Sequence, residues 1–494
     1  MRPNKNIMIK KILSICLFLL IYKCSYCQPN KADSYNVGFK YFKATDDSRK
    51  YIVGNDTLSR PMLVHFWYPG KNNSELNTIT FKDYIDLIAI RENFNREPDE
   101  INNESEAFIN AYLGFSKRKY GIDTSITTKE VLNSPVKAIL NAAPINEKFP
   151  LVIYAPSNSK SSVQNHIMCE YLASNGYFVI SVGSAGHETL KRKDETKATL
   201  AQVRDMEFLI RFLKDSLKIN YSNIGLLGFS SGGMATIIYQ INHPDVKAIV
   251  SLDGSNEYSS FLKLYTFEGF NMGKSNKPYL MFANNYKNFS IYPYYNLMIA
   301  SDKYLFKMPF LDHNGFISYW KQFDMCSKGT KLNDISKSYD VLCVQVNGFF
   351  NLTLKPEQLN LKGYDTSNNH LIQKDTVDYS VIAELLDQIM KQGIEEALLK
   401  MKSNYSLYKE KENMINILGR MFIGVDDNVA IKLFETNTEI HPNSWESYYN
   451  LAYLYKEGKD IDSAKNAINR AKEINMDNSE IQKLYNEIMG TNVE

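Results

Sequence analysis

At roughly 100–200 residues per domain, a chain of 494 residues is too long for a single core. Its composition, 23% charged and 44% hydrophobic with Gly 24 and Pro 15, excludes a disordered, collagen-like or coiled-coil chain. Lys+Arg 57 against Asp+Glu 55 leaves a net charge of +2 and no basic stripe, which argues against nucleic acid as a partner.

The first predicted element is an export signal. Arg2, Lys5, Lys10 and Lys11 precede an apolar run from Ile12 to Ile21, followed by Ser25-Tyr26-Cys27, the three-part layout of a secretory leader. The run falls short of the about 20 apolar residues that cross a bilayer, so residues 1–27 are expected to be cleaved off rather than to anchor the chain. A lipid anchor would require a small residue before Cys24 or Cys27, where Lys23 and Tyr26 stand. The mature chain is therefore expected in the periplasm or outside the cell, with no stable membrane anchor. Cys169, Cys326 and Cys343 would remain, too widely spaced for a zinc site and suited to buried thiols with at most one bridge.

Residues 28–375 read as one domain. Pro61 to Pro69 (PMLVHFWYP) has strand character and follows a turn-rich stretch, Gly54 to Arg60, as an edge hairpin would. From about Asp83 to Glu147 the text becomes rich in Asn, Glu and Lys with helical apolar spacing, as at Tyr84, Leu87 and Ile88, and reads as a helical, lid-like insertion over residues 83–147. Then strands and helices alternate: Leu151–Tyr154, Tyr177–Val182, Ile224–Phe229, Ala248–Asp253 and Pro278–Ala283 are short apolar runs, with helices predicted over Asn165–Ala173, Thr199–Leu217 and Gly232–Ile241. Such runs between helices predict a sheet that is mostly parallel, buried on both faces and doubly wound, the α/β class.

Beyond about residue 375 strands cease. Ala430 and Ala464, Phe434 and Ile468, Ile417 and Leu451, Met421 and Tyr455, and Pro442 and Met476 are each 34 residues apart. Residues 376–494 thus carry an internal helical repeat. Tyr448, Leu451, Ala452, Tyr455, Ala464, Ile468 and Ala471 are spaced as in the tetratricopeptide repeat, which this segment resembles; Ile394–Met401 reads as a degenerate earlier unit and Ser479–Ile488 as a capping helix. Such repeats offer a concave face to a peptide or protein partner, or serve as a stabilising extension.

Gly228-Phe229-Ser230-Ser231-Gly232 fits G-x-S-x-G at a predicted strand-to-helix junction. A serine held above the sheet on a strained turn needs neighbours without a Cβ, and Gly228 and Gly232 supply them. Ser231 is excluded as the nucleophile in this frame because Phe229 stands at its upstream glycine position. The hydroxyl needs a base and the base a carboxylate. Of the histidines downstream, His243 reads as a helix-end residue and His370 as part of a polar linker, whereas His313 lies in Leu311-Asp312-His313-Asn314-Gly315-Phe316, a polar loop after the Pro278–Ala283 strand. For the acid, Asp253 ends the strand after the elbow, while the next strand ends in Asn284-Asn285 without a carboxylate; Asp302 and Asp312 are the alternatives.

Together, Arg60-Pro61 through Trp67-Tyr68-Pro69, the elbow, Asp253 and His313-Asn314-Gly315-Phe316 resemble the serine hydrolases related to platelet-activating-factor acetylhydrolase and dienelactone hydrolase. The resemblance spans about Tyr35 to Asp375 and implies an esterase acting on a short acyl group of a small-molecule ester, with no metal and no cofactor. It also implies an oxyanion hole formed by a loop after Leu151–Tyr154 together with the N–H following the nucleophile. Where the family carries His-Gly-x-Gly, this chain has Pro156-Ser157-Asn158-Ser159, so the backbone N–H groups expected to receive the oxyanion are those of Asn158 and Ser231. Two other readings stay open: a disabled hydrolase that supports the repeats as a binding protein, and peptidase or acyltransferase chemistry on the same residues.

Overall fold

The computed structural model describes residues 35–71, 78–123, 125–190, 194–284, 292–298, 302–327, 333–355, 373–374 and 380–490. The export signal expected over residues 1–27 and His370 lie outside them.

The chain opens with a long hairpin, β1 (Asn36–Val53) and β2 (Asp56–Gly70), closed by the two-residue loop Gly54-Asn55. Gly54 takes φ +61°, which matches the mirror-image turn that the right-handed strand twist favours. A bulge between Asp46 and Lys50 is filled by the Asp46 carboxylate, which accepts from the Ser48 N–H (3.1 Å) and the Arg49 Nε–H (2.8 Å). Across the hairpin Arg60, 1% exposed, forms a two-pronged bond to Asp205, Nε to Oδ1 at 2.8 Å and Nη2 to Oδ2 at 2.7 Å. Arg49 Nη1 also reaches Asp205 Oδ1 at 2.8 Å, so removing Asp205 would strip the buried Arg60 of its counter-charge, whereas removing Arg60 would leave Asp205 paired to Arg49.

Next come β3 (Thr78–Thr80), α1 (Phe81–Ala89), α2 (Pro98–Tyr120), α3 (Thr128–Leu132) and β4 (Pro135–Leu140). Two expectations are corrected here. The stretch over residues 83–147 is not wholly helical, because β4 pairs in parallel with β1 and antiparallel with β3. The hairpin is consequently interior to the sheet, with β2 also pairing to β6 (Phe178–Val182). The signal for β4 is weak: only Val136, Ala138 and Ile139 are buried among its six residues.

The rest of the sheet comes from β5 (Leu151–Ala155), β6, β7 (Ile224–Phe229), β8 (Val246–Leu252), β9 (Tyr279–Asn284), β10 (Lys303–Met308) and β11 (Gln373–Lys374), with α4 (His166–Ser174), α5 (Glu195–Arg211), α6 (Ser231–Asn242), α7 (Pro293–Leu297), α8 (Tyr319–Met325) and α9 (Asp334–Leu354) around it. The strand order is β11-β10-β9-β8-β7-β5-β6-β2-β1-β4-β3, parallel from β6 through β10. Residues of one strand alternate between two cores: Leu151 and Ile153 enter one, Val152 and Tyr154 the other. That is why these strands read as unbroken apolar runs.

The C-terminal region is helical: α10 (Ser380–Gln392), α11 (Ile394–Ser403), α12 (Tyr405–Tyr408), α13 (Glu412–Phe422), α14 (Asp427–Ile440), α15 (Trp445–Glu457), α16 (Ile461–Ile474) and α17 (Ser479–Met489). Both ends of α14 and α16 are 34 residues apart, and so are their N-caps, Asp426 and Asp460, which accept from the N–H groups of Val429 and Ser463. Gly419 lets α13 lie directly on Phe434; a Cβ there would sit 2.6 Å from the ring. α10 and α13 pack against α7, and α13 also against the 3-10 segment Ser259–Thr266, in one apolar cluster that runs from Tyr294 and Leu297 to Leu386 and Leu418.

Among the described residues no helix is long and apolar enough to cross a membrane, and no group of three or more His, Cys, Asp or Glu side chains could hold a metal. Cys169, Cys326 and Cys343 are free thiols, and burial pushes each thiol pKa up.

Candidate active site

β7 delivers the chain to Ser230 at the carboxyl end of the parallel strands. Ser230 takes φ +54° and ψ −120°, a conformation rare for any residue with a Cβ. Bonds from all sides hold it: its N–H donates to the Leu252 carbonyl (3.1 Å), and its carbonyl accepts from the N–H groups of Gly233 (3.0 Å) and Ser255 (2.9 Å). The turn closes only because its flanks lack side chains. A Cβ at Gly228 would lie 2.7 Å from the Gly232 carbonyl oxygen, and one at Gly232 would lie 2.0 Å from that of Ala155 at the end of β5. Gly233, at the third position, meets Asn256 and Gly254 as closely, at 2.5 and 2.9 Å.

Asp253 follows β8, is fully buried, and also has a positive φ, +46°. Its Oδ2 lies 2.5 Å from His313 Nδ1, and His313 Nε2 lies 3.0 Å from Ser230 Oγ. The structure thus brings Ser230, His313 and Asp253 into one hydrogen-bonded chain. The carboxylate is saturated: the N–H of Asn284 donates to Oδ1 (3.2 Å), its side-chain amide to Oδ2 (2.9 Å), and the Tyr258 hydroxyl to Oδ1. His313 is half-exposed, with its ring stacked on Phe229 at 5.2 Å between centroids.

The alternatives fall elsewhere. His243 stacks on Tyr239 at 3.8 Å at the end of α6 and faces Glu207. Asp302 precedes β10, at the end of the sheet away from Ser230. Asp312 caps the one-turn helix that begins with His313, accepting from the Gly315 N–H (2.8 Å), the Tyr120 hydroxyl (2.8 Å) and Lys119. Burial would push its carboxyl up, but Lys119, Tyr120 and the Gly315 N–H together hold it below the usual carboxylate value.

The stretch Pro156–Ser159 lies against the elbow through the close approach of Gly232 to Ala155 and Pro156. Ser157 to Lys160 forms a turn, the Lys160 N–H donating to the Ser157 carbonyl at 3.1 Å, with Ser159 at φ +55° where glycine is the usual residue. Side chains stabilise it in place of glycine. Gln202 donates to the Pro156 carbonyl (2.8 Å), Arg91 to that of Ser159 (3.2 Å), and the Ser159 hydroxyl to that of Leu190 (2.7 Å). Among the described residues the N–H groups of Asn158 and Ser231 donate to no protein acceptor, and Ser231, at the first position of α6, also keeps a buried hydroxyl without a partner.

A cleft of about 310 Å³, counted with its opening to solvent, lies beside the elbow between α5 and the Ser255–Phe267 stretch; Thr199, Ser231, Met234, Ser255, Lys263 and Phe267 are among its lining residues. Lys263 and Glu195 pair at its edge. No residue of the 83–147 insertion lines this cleft. Instead α2 leans on the histidine loop: besides Lys119 and Tyr120, Tyr112 stacks on Trp320 (5.8 Å), and the Trp320 indole donates to the Asn314 carbonyl (2.5 Å). The insertion thus touches both the loop of His313 and, through Arg91 and Tyr112, the turn from Ser157 to Lys160.

Sequence reasoning missed Tyr258 and the role of Asn284. Asn284 was visible only as a missing carboxylate at the end of β9. Tyr258, five residues beyond Asp253, carries no motif.

Residues 205–307, 103 of 494, match a family model described as BAAT / acyl-CoA thioester hydrolase C terminal; the match includes Ser230 and Asp253 and stops before His313. It supports a hydrolase-like fold in the region of the elbow. No curated protein matches the chain. Among solved structures, a ferulic acid esterase from Streptomyces cinnamoneus is 16% identical with a TM-score of 0.48, the alignment covering 70% of this chain and 98% of that one. A dienelactone hydrolase from Anabaena variabilis is 15% identical with a TM-score of 0.31, covering 42% and 88%.

Proposed function

We propose that this chain is a serine hydrolase that cleaves carboxylic esters or thioesters of small molecules through an acyl-enzyme. The observation that carries the reading is the unbroken chain from Asp253 Oδ2 through the His313 imidazole to Ser230 Oγ, at 2.5 and 3.0 Å. Ser230 Oγ attacks the acyl carbon and His313 Nε2 takes its proton, while Asp253 stabilises the imidazolium. The N–H groups of Ser231 and Asn158 receive the oxyanion; preorganised donors of this kind are worth ~10²–10³ in turnover each. The intermediate collapses as His313 returns the proton to the leaving oxygen or sulfur. Water, deprotonated by the same imidazole, then adds to the acyl carbon, and the acid leaves as Ser230 regains its proton. Thioesters enter this reading because the family model around the elbow is described by acyl-CoA thioester hydrolysis. The protein acts after export, and its C-terminal helices are tetratricopeptide repeats that engage a peptide or protein.

A fluorophosphonate probe tests the chemistry. Labelling of the wild type and none of Ser230→Ala is expected, along with turnover of p-nitrophenyl esters or acyl thioesters that falls ~10⁴-fold in Asp253→Asn. Absence of labelling in folded wild type overturns the reading and leaves a hydrolase-like scaffold for the repeats. Turnover of peptides alone overturns the choice of substrate.

A further inference from the structure

The Asp253 carboxylate is wholly buried, and its two oxygens accept from four groups: His313, the N–H and the side-chain amide of Asn284, and the Tyr258 hydroxyl. Tyr258 stands out because the chain fixes it so firmly. The Ser255 N–H is tied to the Ser230 carbonyl (2.9 Å), and the Tyr258 N–H to that of Ser255 (3.3 Å). Its neighbour Glu257 is locked in the core by the Tyr279 hydroxyl (2.7 Å) and the Tyr295 N–H (3.0 Å). The phenol is thus held at a set position by the same turn that places the elbow.

We propose that Tyr258 is a positioning residue that sets how strongly Asp253 pulls on the His313 proton. The proposal rests on the hydrolase reading above. A hydrogen bond donated to a carboxylate spreads its charge and weakens its hold on other donors, so the Tyr258 hydroxyl moderates the bond between Asp253 and His313 while directing Oδ2 toward the ring. Burial and the Asp253 charge push the phenol pKa well up, so it remains a donor across the working pH range. The titratable groups around this pair are Glu257 on its own segment, Tyr292 ahead of α7 with Lys307 over its ring, and His313 itself, whose neighbour Asp312 is paired to Lys119. Glu257 and Asp312 are committed to other partners, Glu257 to Tyr279 and the Tyr295 N–H, Asp312 to the Gly315 N–H and Lys119.

The test compares Tyr258→Phe with Tyr258 replaced by 2,3,5-trifluorotyrosine, a stronger hydrogen-bond donor of the same shape, using p-nitrophenyl acetate. In the phenylalanine variant the acid limb of the kcat/KM profile, on which His313 takes up its proton, is expected to move up by about 0.5 to 1 pH unit. At neutral pH kcat should fall about 10-fold with KM nearly unchanged. The trifluoro variant should move the same limb down. The low-field proton resonance of the imidazole N–H gives a readout independent of turnover, expected further downfield in the phenylalanine variant than in wild type. A lower kcat with the limb and the resonance unmoved in both variants would overturn the positioning role and leave Tyr258 a packing residue. If wild type takes no fluorophosphonate label yet the resonance still moves, the hydrolase reading fails while the coupling of Tyr258 to His313 stands.

Discussion

Asn284 donates twice to Asp253, from its N–H to Oδ1 at 3.2 Å and from its side-chain amide to Oδ2 at 2.9 Å. The end of β9 therefore serves the acid at the end of β8 instead of supplying one. Asn284→Ala removes the side-chain donor and keeps the backbone one. A hydrogen bond to a charged group is worth about 1.5–3 kcal/mol, so kcat is expected to fall by about 10- to 150-fold while KM holds. Steady-state kinetics on a p-nitrophenyl ester measures it.

The elbow makes a prediction about stability. In Gly232→Ala the new methyl would meet the Ala155 carbonyl oxygen at 2.0 Å, and Ala155 is held in the sheet by its pairing with Gly228 of β7, directly after Tyr154, which pairs with both neighbouring strands. No flexible side chain is available to move aside. The expected loss is about 3 kcal/mol or more, seen as a lower urea midpoint with an unchanged slope. A fully active Gly232→Ala variant of wild-type stability would refute this account of the turn.

Four buried groups with opposed shifts act on stability between pH 4.5 and 6.5. Burial raises Glu170 and Glu257 to about 7, and lowers His65 to about 3 and His166 to about 4. Between pH 4.5 and 6.5 the folded glutamates hold protons that the unfolded chain has released, so their contribution falls as pH rises. Over the same window the unfolded histidines hold protons that the folded ones refuse, so theirs rises with pH. The two pairs oppose each other and flatten the wild-type profile. Glu170→Gln deletes one falling contribution, and unfolding free energy is then expected to climb with pH relative to wild type, by up to about 1.4 kcal/mol per unit. Urea titrations at pH 4.5 and 6.5 give both slopes, and equal slopes would count against a protonated Glu170.

The bonds from the insertion to the histidine loop make a prediction that separates bracing from covering. Tyr120→Phe cuts one of the two links from α2 to Asp312, which caps the turn carrying His313, and leaves the Lys119 pair in place. Loss of one such bond, about 1 kcal/mol, is expected to lower kcat roughly 3- to 5-fold across all ester lengths. A covering role would instead change KM most for the bulkiest esters. Comparing acetyl with octanoyl esters separates the two.

Local patterns explain what could be read without coordinates. The strands β5 to β9 were legible because a strand buried on both faces has to be apolar along its whole length. The elbow was legible because two glycines must flank a strained serine, and α14 and α16 because one unit is copied after 34 residues with its capping aspartate. β4 escaped because three buried residues in six make too short an alternation, and once it is in place the hairpin is no longer an edge.

Residue order was enough to establish the α/β alternation, the helical repeat and the candidacy of Ser230, Asp253 and His313, since each depends on residues close together in the chain or on the order of strand ends. It took the folded chain to show that Tyr258 and Asn284 saturate the Asp253 carboxylate, that Gln202, Arg91 and Ser159 hold the turn where glycines were expected, and that α2 braces the loop of His313. These are hydrogen bonds between segments up to 192 residues apart, made so that buried polar groups find partners. Such pairing leaves no periodicity in the sequence, because any donor that the fold brings within reach will serve.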